Sequence, residues 1–259
     1  MRLIHWKPSI SVGALIFIFA CLCLPGRLQA RPLFIEVGGT IATNTVWTKA
    51  NGPYVVTTSV YVADGVVLTI EPGVLVKFAQ NTGLYIQGNG QLVAVGTAAE
   101  TIVLTSLRDD SQGGDTNGDG AATVPQPGDW YSLSSYGVLS SLQLEHTLIR
   151  YASSVEANGH LRLHDSTIES NSGDSLYIYP NSGTAPTISV ERTTLHTVDR
   201  HAISLYNHPG ATVSLRNNTI TVAGYGTGIL LTNVAGAQIV DNTIHVADDN
   251  EGARGIVLN

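Results

Sequence analysis

A chain of 259 residues with a formal net charge of −7 at neutral pH is too acidic to resemble a nucleic-acid-binding protein, since such proteins present basic surfaces. Both cysteines, Cys21 and Cys23, lie within the first thirty residues, so the rest of the chain has neither a disulfide nor a thiolate metal site. No charge block, heptad pattern or proline-rich linker divides the remaining residues. Their number is sufficient for one elongated domain.

Residues 1–30 are typical of a secretory signal peptide. Arg2 and Lys7 precede an apolar run from Val12 to Leu24, and Ala30 offers a small residue at the cleavage point. The run is too short to span a bilayer, so we expect a mature chain without a transmembrane span, secreted or held at the cell surface. A lipoprotein signal ending at Cys21 is the alternative, which the apolar residues beyond that cysteine disfavour. Removal of the segment would change the net charge to about −10.

Residues 31–108 predict an N-terminal cap followed by short β-strands. Apolar residues alternate with other residues at period two, and glycine-containing corners separate the runs. The runs are Val60/Val62, Val66/Leu68/Ile70, Val74/Val76/Phe78, Leu84/Ile86, Leu92/Val95 and Ile102/Leu104.

Residues 109–129 form an insertion rich in Asp, Asn and Gly. Asp115, Asn117 and Asp119 stand at alternate positions, as in the first half of a calcium loop, and Asp129 could complete the ligand set. Gln126 occupies the position where an EF-hand has a bidentate Glu, and no helical pattern flanks the loop. The alternative is an insertion whose Asp and Asn side chains cap their own backbone in turns. With Ca²⁺ bound, we expect a structural role in a loop that projects from the domain and has no lysine near its carboxylates.

Residues 130–259 contain a repeat. Five of its Thr-Leu or Thr-Ile pairs recur with gaps of 20, 27, 25 and 24 residues between the apolar members, which indicates a solenoid. Two further alternating runs in each unit predict three short strands per rung, stacked about 4.8 Å apart. We expect the apolar members to be buried in register at Leu148, Ile168, Leu195, Ile220 and Ile244. We expect a corner column at His146, Ser166, Thr193, Asn218 and Asn242.

Four segments resemble the opening of secreted bacterial right-handed parallel β-helix proteins of the pectate-lyase-like group. They are Asn44–Thr48, Pro53–Val56, Val67–Val74 with Lys77-Phe78, and Gly114–Gly120 followed by Pro127–Trp130. The resemblance spans about residues 38–133, and the later Asn-Thr-Ile rungs extend it to the end. It implies an all-β, right-handed parallel β-helix solenoid, an architecture that serves lyases, epimerases and adhesins alike.

The chain stops on the middle strand of a rung, without a capping unit. An open solenoid end exposes apolar rungs and unpaired backbone groups. We therefore expect this sequence to be a fragment of a longer protein or to pair with another chain.

Candidate catalytic residues are scattered rather than clustered. They are His160, His164, Asp165, His196, Asp199, Arg200, His201, His208 and His245. The resemblance implies an acidic calcium cluster beside an Arg or Lys base in a lyase, but no residue here matches those positions, so no catalytic residue is assigned. Tyr177, Tyr179, Tyr206 and Tyr225 do not form one column by repeat spacing, which argues against an aromatic platform.

Two hypotheses of function remain. The first is a secreted or cell-surface module, not an enzyme, with a binding or structural role towards polysaccharide or another surface partner and no cofactor beyond structural Ca²⁺. The second is a polysaccharide lyase that acts on acidic glycans.

Overall fold

The computed structural model describes residues 34–179, 185–246 and 252–259, and the predicted signal peptide with Cys21 lies outside these ranges. Within them the chain forms 24 β-strands and one short 3-10 helix, Lys49–Asn51. Each strand is paired in parallel with its neighbours along the sheets. No helix in the described part is long and apolar enough to cross a membrane.

The chain winds repeatedly through three parallel sheets and adds one strand to each sheet per rung. The first sheet contains β2 (Thr45–Trp47), β4 (Val67–Ile70), β7 (Gln91–Val95), β10 (Ser141–Glu145), β13 (His160–His164), β16 (Thr187–Glu191), β19 (Thr212–Arg216) and β22 (Gln238–Val240). The second contains β5 (Leu75–Phe78), β8 (Ile102–Ser106), β11 (Thr147–Arg150), β14 (Thr167–Glu169), β17 (Thr194–Val198), β20 (Thr219–Ala223) and β23 (Thr243–Val246). The third contains β6 (Leu84–Ile86), β9 (Trp130–Ser135), β12 (Ala152–Ala157), β15 (Leu176–Ile178), β18 (Ile203–Tyr206), β21 (Thr227–Thr232) and β24 (Arg254–Leu258).

A long strand starts both the second and the third sheet. β3 (Tyr54–Val62) pairs with β5 through its first half and with β6 through its second half. β1 (Ile35–Ile41) lies along β3 and covers this end of the coil. The three-strand rung therefore confirms the predicted right-handed parallel β-helix.

The core consists of inward-pointing columns, one residue from each rung. Because side chains alternate along a strand, every second residue enters the core, and parallel pairing places like positions above one another. In the second sheet one column contains Tyr54, Val76, Leu104, Ile149, Ile168, Leu195, Ile220 and Ile244. All of these are buried except Ile244, which is half-buried because β23 is the outermost strand of its sheet. The prediction is thus confirmed for Ile168, Leu195 and Ile220.

Hydrogen-bonding side chains form the predicted column at the corner between the first and second sheets. The Asn218 carbonyl accepts the Thr193 backbone N–H at 3.0 Å, and its amide donates to the Val190 carbonyl at 2.9 Å. Asn242 repeats this arrangement one rung later, accepting the Asn218 N–H at 3.0 Å. The ladder satisfies backbone groups that the bend leaves without a strand partner.

In β11 the predicted register is wrong by one residue. Ile149, not Leu148, pairs with Ile168 and is fully buried, while Leu148 is only half-buried. Both residues are apolar, so alternation alone does not choose between them. The choice follows from Arg150, which would enter the core if Leu148 did and instead faces outward. Thr147 consequently takes the corner position predicted for His146.

Replacement of Ile220 by Ala should lower the free energy of unfolding by about 2–5 kcal/mol, because it removes a buried side chain from a packed column. Replacement of the exposed neighbour Thr219 by Ala is the matched control and should cost less than about 1 kcal/mol. Urea denaturation followed by circular dichroism measures both values. Equal losses would show that the inward and outward faces of β20 have been exchanged.

Candidate functional site

The connection between β8 and β9 contains the first candidate site. Carboxylate oxygens of Asp110, Asp115 and Asp119 lie within 4.8 Å of one another. A hard cation such as Ca²⁺ takes roughly six to eight oxygen ligands, and three carboxylates at this separation could share one ion. The structure brings together two of the predicted ligands, Asp115 and Asp119. It adds Asp110, which stands outside the alternate-residue pattern.

The loop backbone curls around the Asp115 carboxylate. Its Oδ1 accepts the backbone N–H groups of Gly118 at 2.8 Å and Asp119 at 3.1 Å, and its Oδ2 accepts that of Gly120 at 2.9 Å. Gly118 and Gly120 have φ angles of 74° and 76°, a region that glycine enters without steric cost. The predicted turn capping is therefore present. The turn capping involves residues that the calcium hypothesis assigns as ligands.

Asn117 both donates and accepts hydrogen bonds in this loop. Its Nδ2 donates to Asp119 Oδ2 at 2.9 Å and to Thr123 Oγ1 at 3.3 Å. Its Oδ1 accepts the Asp119 backbone N–H at 3.3 Å. Rotation of the amide by half a turn would break that bond and place the side-chain oxygen beside the Asp119 carboxylate, where both could bind a cation.

The structure places Asp129, the fourth predicted ligand, outside the cluster formed by Asp110, Asp115 and Asp119. Its Oδ2 accepts hydrogen bonds from Ser106 Oγ at 2.7 Å and from the Gln126 backbone N–H at 3.0 Å. Its Oδ1 forms an ion pair with Arg108 at 3.0 Å. These contacts occupy a buried carboxylate at the base of the loop, where the chain rejoins the coil.

The first part of the loop, from Asp109 to Gly114, lies against the outer surface of the second sheet. Lys77 is completely buried beneath it and donates from Nζ to the Gly114 carbonyl at 2.8 Å. The buried Asp109 accepts a hydrogen bond from Thr105 Oγ1 at 2.6 Å and pairs with Arg150 at 3.4 Å. The expectation that no lysine lies near the loop is therefore wrong. Outward side chains of three successive rungs anchor this part of the loop.

Burial governs the ionisation of the groups between loop and sheet. It lowers the pKa of Lys77, against the opposing attraction of Asp110 and its neighbours. It raises the pKa of Asp110, and the negative charge of Asp115 raises that pKa further. One buried oxygen of Asp110 and one of Asp119 have no hydrogen-bond partner in the protein. A cation between them would satisfy both oxygens and remove their repulsion.

The outer surface of the third sheet contains the second candidate site, which begins with three stacked tyrosines. Tyr61 and Tyr85 are paired on adjacent rungs with ring centroids 5.2 Å apart, and Tyr136 stacks on Tyr85 at 5.7 Å. The exposed fraction is 9% for the central Tyr85 but 37% for Tyr61 and 52% for Tyr136. Gly83 leaves space for the Tyr85 ring, since a Cβ at position 83 would lie 2.6 Å from the Tyr85 hydroxyl oxygen.

Three further tyrosines follow on the next rungs. Tyr177 meets Tyr179 edge to face at 4.6 Å and Tyr206 at 5.8 Å. The Tyr179 hydroxyl donates to Glu156 Oε2 at 2.8 Å, and Ser154 Oγ donates to Oε1 of the same carboxylate at 2.5 Å. Glu156 thus stands among tyrosines with both oxygens held in place.

The two groups form one surface. One outward column contains Tyr61, Tyr85, Ser134, Glu156 and Tyr177 in successive rungs, so the two groups adjoin. Burial raises the pKa of Tyr85 to about 12 and raises that of Tyr179 as well, so both hydroxyls remain protonated donors at neutral pH. We call this surface the tyrosine face; its members are Tyr61, Tyr85, Tyr136, Tyr177, Tyr179, Tyr206 and Glu156.

Repeat spacing alone missed the tyrosine face. Tyr177 does pair with Ser204 in the next rung, as predicted, yet Tyr206 reaches it from two positions further along β18. Tyr85 and Tyr136 are separated in the sequence by the 107–129 connection, which hides their proximity. The sequence does contain one indication of this surface, because Tyr61 and Tyr85 stand at equivalent positions of successive strands.

The histidine and acid candidates are dispersed, and several of them support turns. Asp199 accepts the Tyr225 backbone N–H at 2.9 Å, and His160 Nδ1 accepts that of Thr187 at 3.1 Å. His196 and His245 stand two rungs apart in one outward column, as predicted. His164 Nε2 lies 2.7 Å from Ser189 Oγ, which in turn donates to Glu191 Oε1 at 3.2 Å. These contacts link neighbouring rungs of the coil.

Two family models match the chain: the pectate-lyase like beta helix domain over residues 39–123 and the right handed beta helix region over residues 132–258. The Drosophila melanogaster protein named Protein bark beetle is similar, with 44% identity over 69 residues that make up 27% of this chain and 2% of that protein. No solved structure matches the chain. The bacterial origin that the resemblance implied stays a prediction. With the three parallel sheets, these matches show that the chain belongs to the right-handed parallel β-helix repeat proteins.

Proposed function

We propose that this protein is a secreted or cell-surface module that binds polysaccharide on its tyrosine face. The observation that carries the proposal is the convergence of six tyrosines and Glu156 on one sheet surface. A tyrosine offers an apolar ring and a hydroxyl in one rigid side chain, which suits it to ligands that alternate apolar and hydroxyl surfaces. Sugars present such surfaces.

The arrangement of the rings favours an extended ligand. Tyr61 and Tyr136 end the stack and are its most exposed members, while Tyr85 between them is nearly buried. Because successive rungs repeat about every 4.8 Å, like groups recur along the coil axis at a regular interval. A linear glycan lying along that axis would meet ring edges, hydroxyls and the Glu156 carboxylate in turn.

We also propose a structural Ca²⁺ site in the acidic loop, held by Asp110, Asp115 and Asp119 with Asn117 beside them. Two buried carboxylate oxygens without partners and the raised pKa of Asp110 support it. The ion would reduce repulsion between the carboxylates and keep the loop on the second sheet. Its role is stability of the fold rather than chemistry, because the ligands lie on the loop and not on the tyrosine face.

Catalysis on acidic glycans is the second hypothesis. A lyase needs a base that is open to its substrate, and Lys77, Arg108 and Arg150 are the basic groups beside the acidic loop. Lys77 is buried, and Arg108 is paired with Asp129. Arg150 is engaged by Asp109, Glu169 and Tyr151. We therefore favour binding. Release of products absorbing in the ultraviolet from uronate polymers would favour the lyase instead.

Replacement of Tyr136 by Ala should weaken polysaccharide binding about tenfold, which corresponds to about 1.4 kcal/mol. The reason is loss of the most exposed ring of the tyrosine face. Isothermal titration calorimetry against soluble glucans, mannans and xylans measures the change. Tyr225→Ala is the matched control, because Tyr225 is 63% exposed but stands outside the tyrosine face.

Equal weakening by the two substitutions, or binding that neither affects, would contradict the assignment to this face. Binding to cell surfaces stripped of glycan, with no affinity for any polysaccharide, would indicate a protein partner and overturn the proposal.

Calcium should raise the melting temperature by about 5–10 °C at a hundred times its Kd, because a ligand that binds the folded state stabilises it by mass action. The double variant Asp110→Asn with Asp115→Asn should lose this rise, and the exposed Asp241→Asn should keep it. Differential scanning calorimetry in calcium and in chelator provides the comparison. An unchanged wild-type melting curve would leave a loop held by turn capping alone.

The increase in melting temperature that calcium causes should become smaller as the pH falls. Because the folded-state pKa of Asp110 is raised, ionisation of this carboxyl destabilises the calcium-free protein as the pH climbs through that pKa. Calcium opposes that loss only where the group is ionised. The difference in melting temperature between protein in calcium and protein in chelator is therefore greatest above the raised pKa and smallest below it.

A further inference from the structure

The tyrosine face has acidic side chains, but its strands contribute no lysine or arginine. The strands β3, β6, β9, β12, β15 and β18, which form its floor, contain no Lys or Arg. Two carboxylates lie there instead, Glu156 in β12 and Asp174 just before β15. Asp174 accepts a hydrogen bond from Ser204, which pairs with Tyr177 in the next rung, and this places Asp174 at the same surface. A ligand on this face therefore meets negative charge without compensation by a basic side chain of these strands.

Both carboxylates are positioned as hydrogen-bond acceptors. Ser204 Oγ donates to Asp174 Oδ2 at 2.5 Å, and the His201 backbone N–H donates to Oδ1 at 3.1 Å. With the two donors on Glu156, each carboxylate oxygen has one assigned partner. An ionised carboxylate offers about four acceptor sites, so roughly two per group remain for a ligand. Those sites suit hydroxyl donors.

The same charges disfavour a polyanionic ligand. A uronate carboxylate near Glu156 or Asp174 would lose water and gain repulsion, and the strands beneath supply no cation to pair with it. A neutral sugar hydroxyl would instead form a charge-assisted hydrogen bond, which is stronger than one between neutral groups.

We infer that the ligand of the tyrosine face is an uncharged, hydroxyl-rich polysaccharide and that Glu156 and Asp174 select it against uronate polymers. The inference rests on the proposed polysaccharide-binding function and narrows its ligand class. It also separates this face from the chemistry of acidic-glycan lyases, which require positive charge or a bound cation beside the uronate group.

The test compares the affinities of a neutral glucan and of polygalacturonate of matched length, measured by calorimetry at low ionic strength. The wild type should bind the glucan at least about tenfold more tightly. The variant Glu156→Gln with Asp174→Asn preserves the shapes of both side chains and removes both charges, so it should bind polygalacturonate about tenfold better than the wild type. Added salt should narrow the wild-type preference, because screening weakens the repulsion.

Asp241→Asn is the matched control, since it removes one negative charge outside the tyrosine face and should leave the preference unchanged. Tyrosine-dependent binding that favours polygalacturonate, or a preference that the double variant retains in full, would overturn the inference and leave the proposed function standing. Absence of binding to the glucan, to polygalacturonate and to the mannans and xylans would overturn the proposed function itself.

Discussion

Parallel pairing between successive rungs is the constraint on which the rest of this structure depends. It aligns each residue with its counterpart one turn earlier and one turn later, so every position belongs to a column that is inward, outward or at a corner. Inward columns are mostly apolar, because their side chains pack against one another in the core. Outward columns are free of that demand, and they contain most of the tyrosine face as well as the side chains that anchor the acidic loop.

The same constraint explains how the long 107–129 connection is accommodated. β8 and β9 belong to one rung, and the rungs on either side pair across the inserted residues without change of register. The connection is then held from below by Lys77, Thr105 and Arg150, three outward residues of the second sheet. The coil supplies the anchors, and the acidic cluster forms at a distance from the core.

The fold was predictable from the sequence because every rung repeats the same apolar pattern. The residues of the candidate sites belong to no repeat, so each occurs only once. Five Thr-Leu/Ile pairs sufficed for the coil, although Leu148 and Ile149 could not be distinguished until the outward role of Arg150 was known. Asp115 and Asp119 were found from their spacing. Asp110 was missed, and the position of Asp129 outside the cluster was not foreseen, because the closure of the loop depends on contacts with Ser106 and Arg108 that no local pattern reveals.

The tyrosine face was missed for a geometric reason that applies to solenoids in general. A surface patch combines neighbouring columns of several rungs, and its members are therefore separated by whole repeats and by any insertion between them. Tyr206 reaches Tyr177 from an adjacent column, and Tyr136 reaches Tyr85 across the 107–129 connection. Comparing residues within one column tests only contacts along the coil axis. A ligand on the sheet surface also contacts residues of neighbouring columns. Binding sites in this fold should therefore be sought in the two-dimensional array of outward residues.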